Sequence, residues 1–174
     1  LIELCIIAAH YNLNLTVDAE ECDRLSTSLA IIHNVVQNPV MKTWDGFGFA
    51  VQAYHKRAGA VIDKAISWAR ESNQKISIRL VKGAYWDTEI KHAQIEGHAG
   101  YPVFTRKENT DVSYMACAKK LLDNRDVIYP MLGTHNAQTM ATILDMAGND
   151  KSGFMFQRLH GMGEQLFDQL LSQD

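Results

Sequence analysis

The chain has 174 residues, 47% hydrophobic and 21% charged, with a formal net charge of -3 at pH 7. That length can bury a sizeable core, and one domain spanning 1–174 is the expectation. The mild negative charge and dispersed basic residues give no general pull toward nucleic acid or an anionic membrane. Cys5, Cys22 and Cys117 stand far apart with no redox or metal-ligand spacing, which points to reduced thiols in a cytoplasmic protein.

Residues 2–10 read as a helix tail; the run lacks the basic start of a secretory signal. No apolar stretch approaches the roughly 20 residues needed to span a bilayer, and a peripheral membrane contact stays open. Residues 13–17 read as a buried strand. Asp18, with Glu21 three positions on, then predicts a capped helix start, and the helix runs to about Val36 before Asn38-Pro39 ends it. A strand over 47–54 is followed by a helix from 59 past 68, with Val61, Ile62, Ala65, Ile66 and Ala69 inward. Next come a strand over 76–81, helices near 87–96 and 111–123, and a strand over 127–132. A helix over 139–146, a strand over 154–159 and a helix over 165–171 complete the pattern.

Five strands, each followed by a helix and with no hairpin signal, imply parallel strands joined by right-handed crossovers. An open doubly wound sheet and a closed (β/α) barrel both satisfy this. No Gly-x-Gly-x-x-Gly turn follows any strand, which weakens the dinucleotide form of the open sheet. Polar residues instead gather at or just past the strand ends: Asp18, Gln52, Arg79 with Lys82, Thr134-His135-Asn136, and 157–160. A barrel collects such groups on one face. A whole barrel takes typically eight strands in roughly 250 residues, so the expectation is an α/β fold: a distorted TIM-type (β/α)8 barrel, present as about five βα units.

Several of these residues carry chemistry. Arg79 lies inside an apolar strand, where a charge is costly unless an opposite charge meets it. It fits either a guanidinium aimed at an electron-rich redox cofactor or a buried Arg–Asp pair. Lys82, at a strand end, also suits a Schiff-base lysine. Gly83 and Ala84 let backbone amides approach a ligand, and Tyr85 and Trp86 form either a flat aromatic wall or ordinary packing. Thr105-Arg106-Lys107, in a long connection, suits a pyrophosphate or a solvated basic turn. Asn136 can cap a helix whose N-terminus also favours phosphate. Asp18 is either a cap or an active-site carboxylate, and Gln52 is a polar side chain amid apolar neighbours that fits an amide reading a heterocycle's edge. His135 has no partner at metal spacing and no metal is expected. Nucleophile-elbow and Walker motifs are absent from the sequence.

At these same residues the chain resembles the proline dehydrogenase domain of the PutA family of bifunctional bacterial flavoenzymes. The resemblance rests on residues 79–87, 100–107, 110–114, 134–137 and 159–164, with 18–21 and 51–54 also fitting. It implies a distorted (β/α) barrel holding FAD at the strand C-termini and oxidising L-proline to Δ1-pyrroline-5-carboxylate. By the resemblance Arg79 sits by the flavin's reactive nitrogen, Gln52 at the isoalloxazine edge, and Val81, Lys82, Gly83, Ala84 and Trp86 along the flavin. Thr105, Arg106 and Lys107, with Thr134, His135 and Asn136, are implied to hold the pyrophosphate and adenosine, and Gln157 and Leu159 to complete the pocket. Asp18, Tyr85 and Leu159 are implied to border the proline site. Also implied are a quinone acceptor and peripheral inner-membrane association of the full-length protein. The family's early strand lysine and its helical Arg-Arg pair for the proline carboxylate have no counterpart here. Weak or absent turnover is therefore expected unless residues outside this chain complete the barrel, and a non-catalytic fragment is the alternative.

Overall fold

A computed structural model describes residues 1–172 as a single curved sheet of five parallel strands with helices between them. The strands are β1 Leu15–Val17, β2 Phe47–Gln52, β3 Ile76–Val81, β4 Ile128–Gly133 and β5 Met155–Gln157, hydrogen-bonded in sequence order. Helices α1 Ile2–His10, α2 Leu25–Val36, α3 Ala58–Ser72, α4 Trp86–Ile95, α5 Lys107–Leu122, α6 Ala137–Ala147 and α7 Glu164–Leu171 complete the chain. Sequential order with every neighbour parallel is the arrangement of a (β/α) barrel wall rather than of an open sheet that reverses direction midway.

Strand β3 shows how the sequence sorts its two faces. Ile76, Ile78 and Leu80 are wholly buried among α5 residues Tyr114, Cys117, Ala118 and Leu121, while Ser77, Arg79 and Val81 point to the other, half-open face. The register carries that alternation across the wall, pairing Ala50 with Arg79 with Met131, and Gln52 with Val81. Small residues keep the concave face open: a Cβ at Gly48 would meet the Ser77 carbonyl at 2.6 Å. Tyr114 ties α5 to the strands by donating its hydroxyl to the carbonyl of Gly133 at 3.2 Å.

Local signals set most boundaries. Helix α3 buries Val61, Ile62, Ala65, Trp68 and Ala69, and ends where Asn73 turns left-handed at φ 52°. Asn136 caps α6 by accepting from the Thr139 amide at 2.9 Å. The capped helix expected at Asp18 does not form. Residues 18–21 are an extended loop, a 3₁₀ turn follows at Cys22–Arg24, and α2 starts only at Leu25 with no side-chain cap. Glu21 instead leans on Arg24, and Asp18 is drawn across the sheet to Arg79. Helix α5 starts at Lys107, earlier than periodicity suggested, because its first turn is polar. Strand β5 stops at Gln157, so Leu159 belongs to an exposed loop.

Candidate active site at the strand C-termini

Arg79 lies at the middle of the concave face. Its side chain is 30% exposed, its Nε donates to Gln157 Oε1 at 3.0 Å, and its Nη1 donates to Asp18 Oδ1. Those partners come from β5 and from just past β1, each two strands away, or about 10 Å along a flat sheet. Curvature of the wall and the length of the guanidinium arm bring all three together. The Arg–Asp pair is therefore formed, but Asp18 is 77% exposed and the pair lies open to solvent. Such a pair can be broken and re-aimed at little cost.

Lys82 sits one residue past β3. Its Nζ donates to Asp111 Oδ1 at 2.5 Å, and Lys107 Nζ donates to the other oxygen of the same carboxylate at 3.0 Å. The two ammonium groups hold the Asp111 carboxyl below its ordinary range. Two cations facing one carboxylate leave a surplus of one positive charge (2 − 1 = +1). Beside them lies a cavity of about 430 Å³ bordered by Tyr54, Lys82, Gly83, Trp86, Thr105, Lys107 and Thr110. Trp86 forms part of its wall, fixed by its indole N–H donating to the Phe104 carbonyl at 2.9 Å. The 101–105 segment is folded back over the end of β2, where Phe104 N donates to Tyr54 O at 2.8 Å.

Gly83 is required by its surroundings: φ is +148°, and a Cβ would strike the Tyr54 ring at 2.4 Å. Its lack of a side chain admits an aromatic ring of this same chain, rather than only a ligand as the sequence suggested. Ala84 donates its amide to Gln52 Oε1 at 3.1 Å, and Gln52 Nε2 donates to the Glu20 carbonyl at 2.9 Å. Gln52, expected to read a heterocycle's edge, is here a buried strut with both amide ends engaged. Tyr85 caps α4 through its backbone and stays half-buried, while Val81 lies half-buried beside Arg79 on the concave face.

The turn after β4 is knit internally. Thr134 Oγ1 accepts from Asn136 N at 3.1 Å, and His135 Nε2 accepts from Leu159 N at 3.0 Å. His135 thus fixes the loop after β5, and among the described residues no hydrogen bond joins this turn to Thr105, Arg106 or Lys107. Arg106 is highly exposed beside Glu108 at 3.7 Å. The structure therefore gathers Asp18, Arg79 and Gln157 into one group, and Lys82, Trp86, Thr105 and Lys107 into a second.

Sequence reasoning missed Tyr54, Asp111 and Glu89. The spacing of Lys107 and Asp111, four apart on a helix, was a usable signal. Tyr54 is 97% buried by its 3% exposure, borders the cavity and has a hydroxyl without a hydrogen-bond partner, a fact invisible without the fold. Burial first, and then the Glu89 charge, pushes that phenol up to about 12.

The proline dehydrogenase family profile matches residues 1–174. Bifunctional protein PutA of Klebsiella aerogenes is 51% identical over 170 residues, covering 97% of this chain and 13% of that protein. Mitochondrial proline dehydrogenase 2 of Arabidopsis thaliana is 28% identical over 178 residues, 94% of this chain and 36% of its own length. A crystal structure of Bradyrhizobium japonicum proline utilization A superposes at a TM-score of 0.96 with 57% identity, covering 99% of this chain and 18% of that one. The chain spans about an eighth of the length of the PutA relatives it matches.

Proposed function

This chain belongs to the proline dehydrogenase family, and from that premise we propose that it supplies part of the flavin and substrate site of an enzyme oxidising L-proline to Δ1-pyrroline-5-carboxylate. The observation that carries the reading is the surplus of positive charge beside an aromatic-walled cavity, next to a re-aimable guanidinium at the barrel's C-terminal face.

The residues present fit FAD. Lys82, Lys107 and the Thr105 hydroxyl offer donors for a pyrophosphate, and Tyr54 lines the same cavity. Trp86 offers a flat wall, and Thr134, His135 and Asn136 stand at the start of α6, where phosphate is favoured. When bound, a flavin supplies the two-electron acceptor for a hydride leaving the proline ring carbon next to nitrogen. Arg79 stabilises negative charge that builds on the acceptor side of the concave face, and Gln157 keeps it aimed there. Asp18, released from or shared with Arg79, offers a carboxylate that would accept the proton the proline ring nitrogen must lose for its lone pair to form the C=N bond, while Tyr85 and Leu159 border the substrate from their loops. The quinone acceptor, the cytoplasmic setting and peripheral contact with the inner membrane belong to this reading through the family resemblance. Among the described residues no helix is long and apolar enough to cross a membrane.

The absorption spectrum of the purified full-length protein tests the proposal. A flavin spectrum bleached by L-proline is the expected result. Colourless folded protein, or a flavin spectrum that proline leaves unchanged, overturns it.

A further inference from the structure

Glu89 is a carboxylate on the first turn of α4, only 3% exposed, and among the described residues no cation lies within salt-bridge distance of it. A buried unpaired carboxylate is costly, so the hydrogen bonds it makes decide why it is there. Its Oε1 accepts from the Cys22 amide at 2.6 Å, across 67 positions of chain. Burial, and then the adjacent Glu89 carboxylate, push the Cys22 thiol up to about 12.

Cys22 closes the loop that begins at Asp18. The same loop is gripped at Glu20 by Gln52, whose other amide end holds Ala84 in the turn leading to α4. Arg57 adds a third, longer contact to the Cys22 carbonyl at 3.3 Å. The loop thus has two buried clasps, Gln52 at Glu20 and Glu89 at Cys22, just past the residue that meets Arg79. Asp18 itself is exposed, follows a strand of three residues and, among the described residues, has Arg79 as its side-chain partner, so the clasps set where its loop lies.

We propose that Glu89 is a positioning residue: by clasping the Cys22 amide it holds the Asp18 loop so that the Asp18 carboxylate is presented to Arg79 and to the amino acid substrate. The inference rests on the proline-oxidising reading for what Asp18 does, and on the geometry alone for what Glu89 does. It is the acceptor oxygen that matters in this role, and not the charge. Gln can supply the same oxygen at the same reach; Asp keeps the charge but falls short by one methylene.

The test uses the full-length flavin-loaded protein carrying Glu89→Gln, Glu89→Asp and Glu89→Ala, each also made in an Asp18→Ala background. Glu89→Asp and Glu89→Ala are expected to raise the KM for proline about fivefold, with the limiting rate of flavin reduction less affected, as one lost hydrogen bond implies. Glu89→Gln should stay within about twofold of the parent. In the Asp18→Ala background none of the three should change KM further, because positioning acts through Asp18. Amide exchange at Cys22 should quicken in the Asp and Ala variants and stay slow in Gln, whether or not proline is turned over. Glu89→Asp behaving as parent while Glu89→Gln fails would assign the effect to charge and overturn the proposal. So would equal losses with and without Asp18, or slow Cys22 exchange in Glu89→Asp. If the parent protein does not reduce its flavin with proline, the enzymatic reading fails separately, and the exchange data still decide the clasp.

Discussion

The two faces of β3 are made from alternate residues of one six-residue strand, yet they obey different physics. On the helix side Ile76, Ile78 and Leu80 have no exposed surface and are packed among α5 side chains. On the concave side Ser77, Arg79 and Val81 stay half-open, and Arg79 is held by one exposed carboxylate and one amide. Burial of apolar area fixes the first face, at roughly 25 cal/mol for each Å² removed from water. The second contributes little to stability, since exposed ion pairs are worth about 0–1 kcal/mol. Stability and chemistry can therefore be altered separately at adjacent positions.

Arg79→Met is the largest test of that separation. Flavin reduction by proline in the full-length protein should slow by about 10²–10³, the usual loss on removing a preorganised charge-stabilising donor. The urea midpoint should hardly move. Equal reduction rates in variant and parent would remove Arg79 from the chemistry. Leu80→Ala, one residue on, should do the reverse. It leaves a void under α5 and should cost about 3–5 kcal/mol in denaturant titrations, with the flavin reduction rate of the folded fraction retained.

The rim between the faces mixes both behaviours. His55 is buried at the end of β2, where its Nδ1 accepts from the Arg57 amide at 3.1 Å, so the ring is neutral. Burial, and then the Arg57 guanidinium, lower its pKa to about 4, with Glu89 opposing them. Its folded pKa lies below its unfolded one, so the unfolded chain takes up the proton first as pH falls. The stabilisation is complete above about pH 6.5 and is lost between there and about pH 4, amounting to about 2–3 kcal/mol. Urea midpoints at pH 7 and 4.5 should fall further for the parent than for His55→Asn, which keeps an acceptor but cannot titrate. Smaller again, Asn136→Ala removes the α6 cap and should cost about 1 kcal/mol by thermal unfolding.

The helix-side face was legible in the sequence because period-two apolar patterning and helical spacing are local signals. Strand β3 and helix α1 fall where their patterns placed them, and the strand ends correctly marked the polar rim. What could not be read were contacts between distant segments. Asp18 and Glu21 have the spacing of a capping box, but Arg79, 61 positions on, competes for Asp18 and the helix starts later. Gly83 carries the signature of a ligand-approach glycine, and the fold spends that room on Tyr54. Gln52 looked unpartnered because both of its partners are backbone groups 32 positions away in either direction.

Asp111 gives the finest test, because it separates lysines that exist for one another from lysines that exist for a ligand. Its pKa is depressed first by Lys82 and then by Lys107, so the ionised carboxylate favours the folded state. That contribution is present above the ordinary carboxyl pKa and disappears as pH falls through the depressed folded value. With the Asp111 side chain 39% exposed, screening keeps it under about 1 kcal/mol. Asp111→Asn should therefore lower the urea midpoint slightly at pH 7 and not at pH 2.5. If the two ammonium groups are there to meet an anionic cofactor, the same variant leaves both free, and FAD should dissociate a few-fold more slowly from the full-length Asp111→Asn protein than from the full-length parent. Faster dissociation would mean that the carboxylate positions the lysines more than it competes for them, and unchanged dissociation would mean that the pair braces α5 and takes no part in binding.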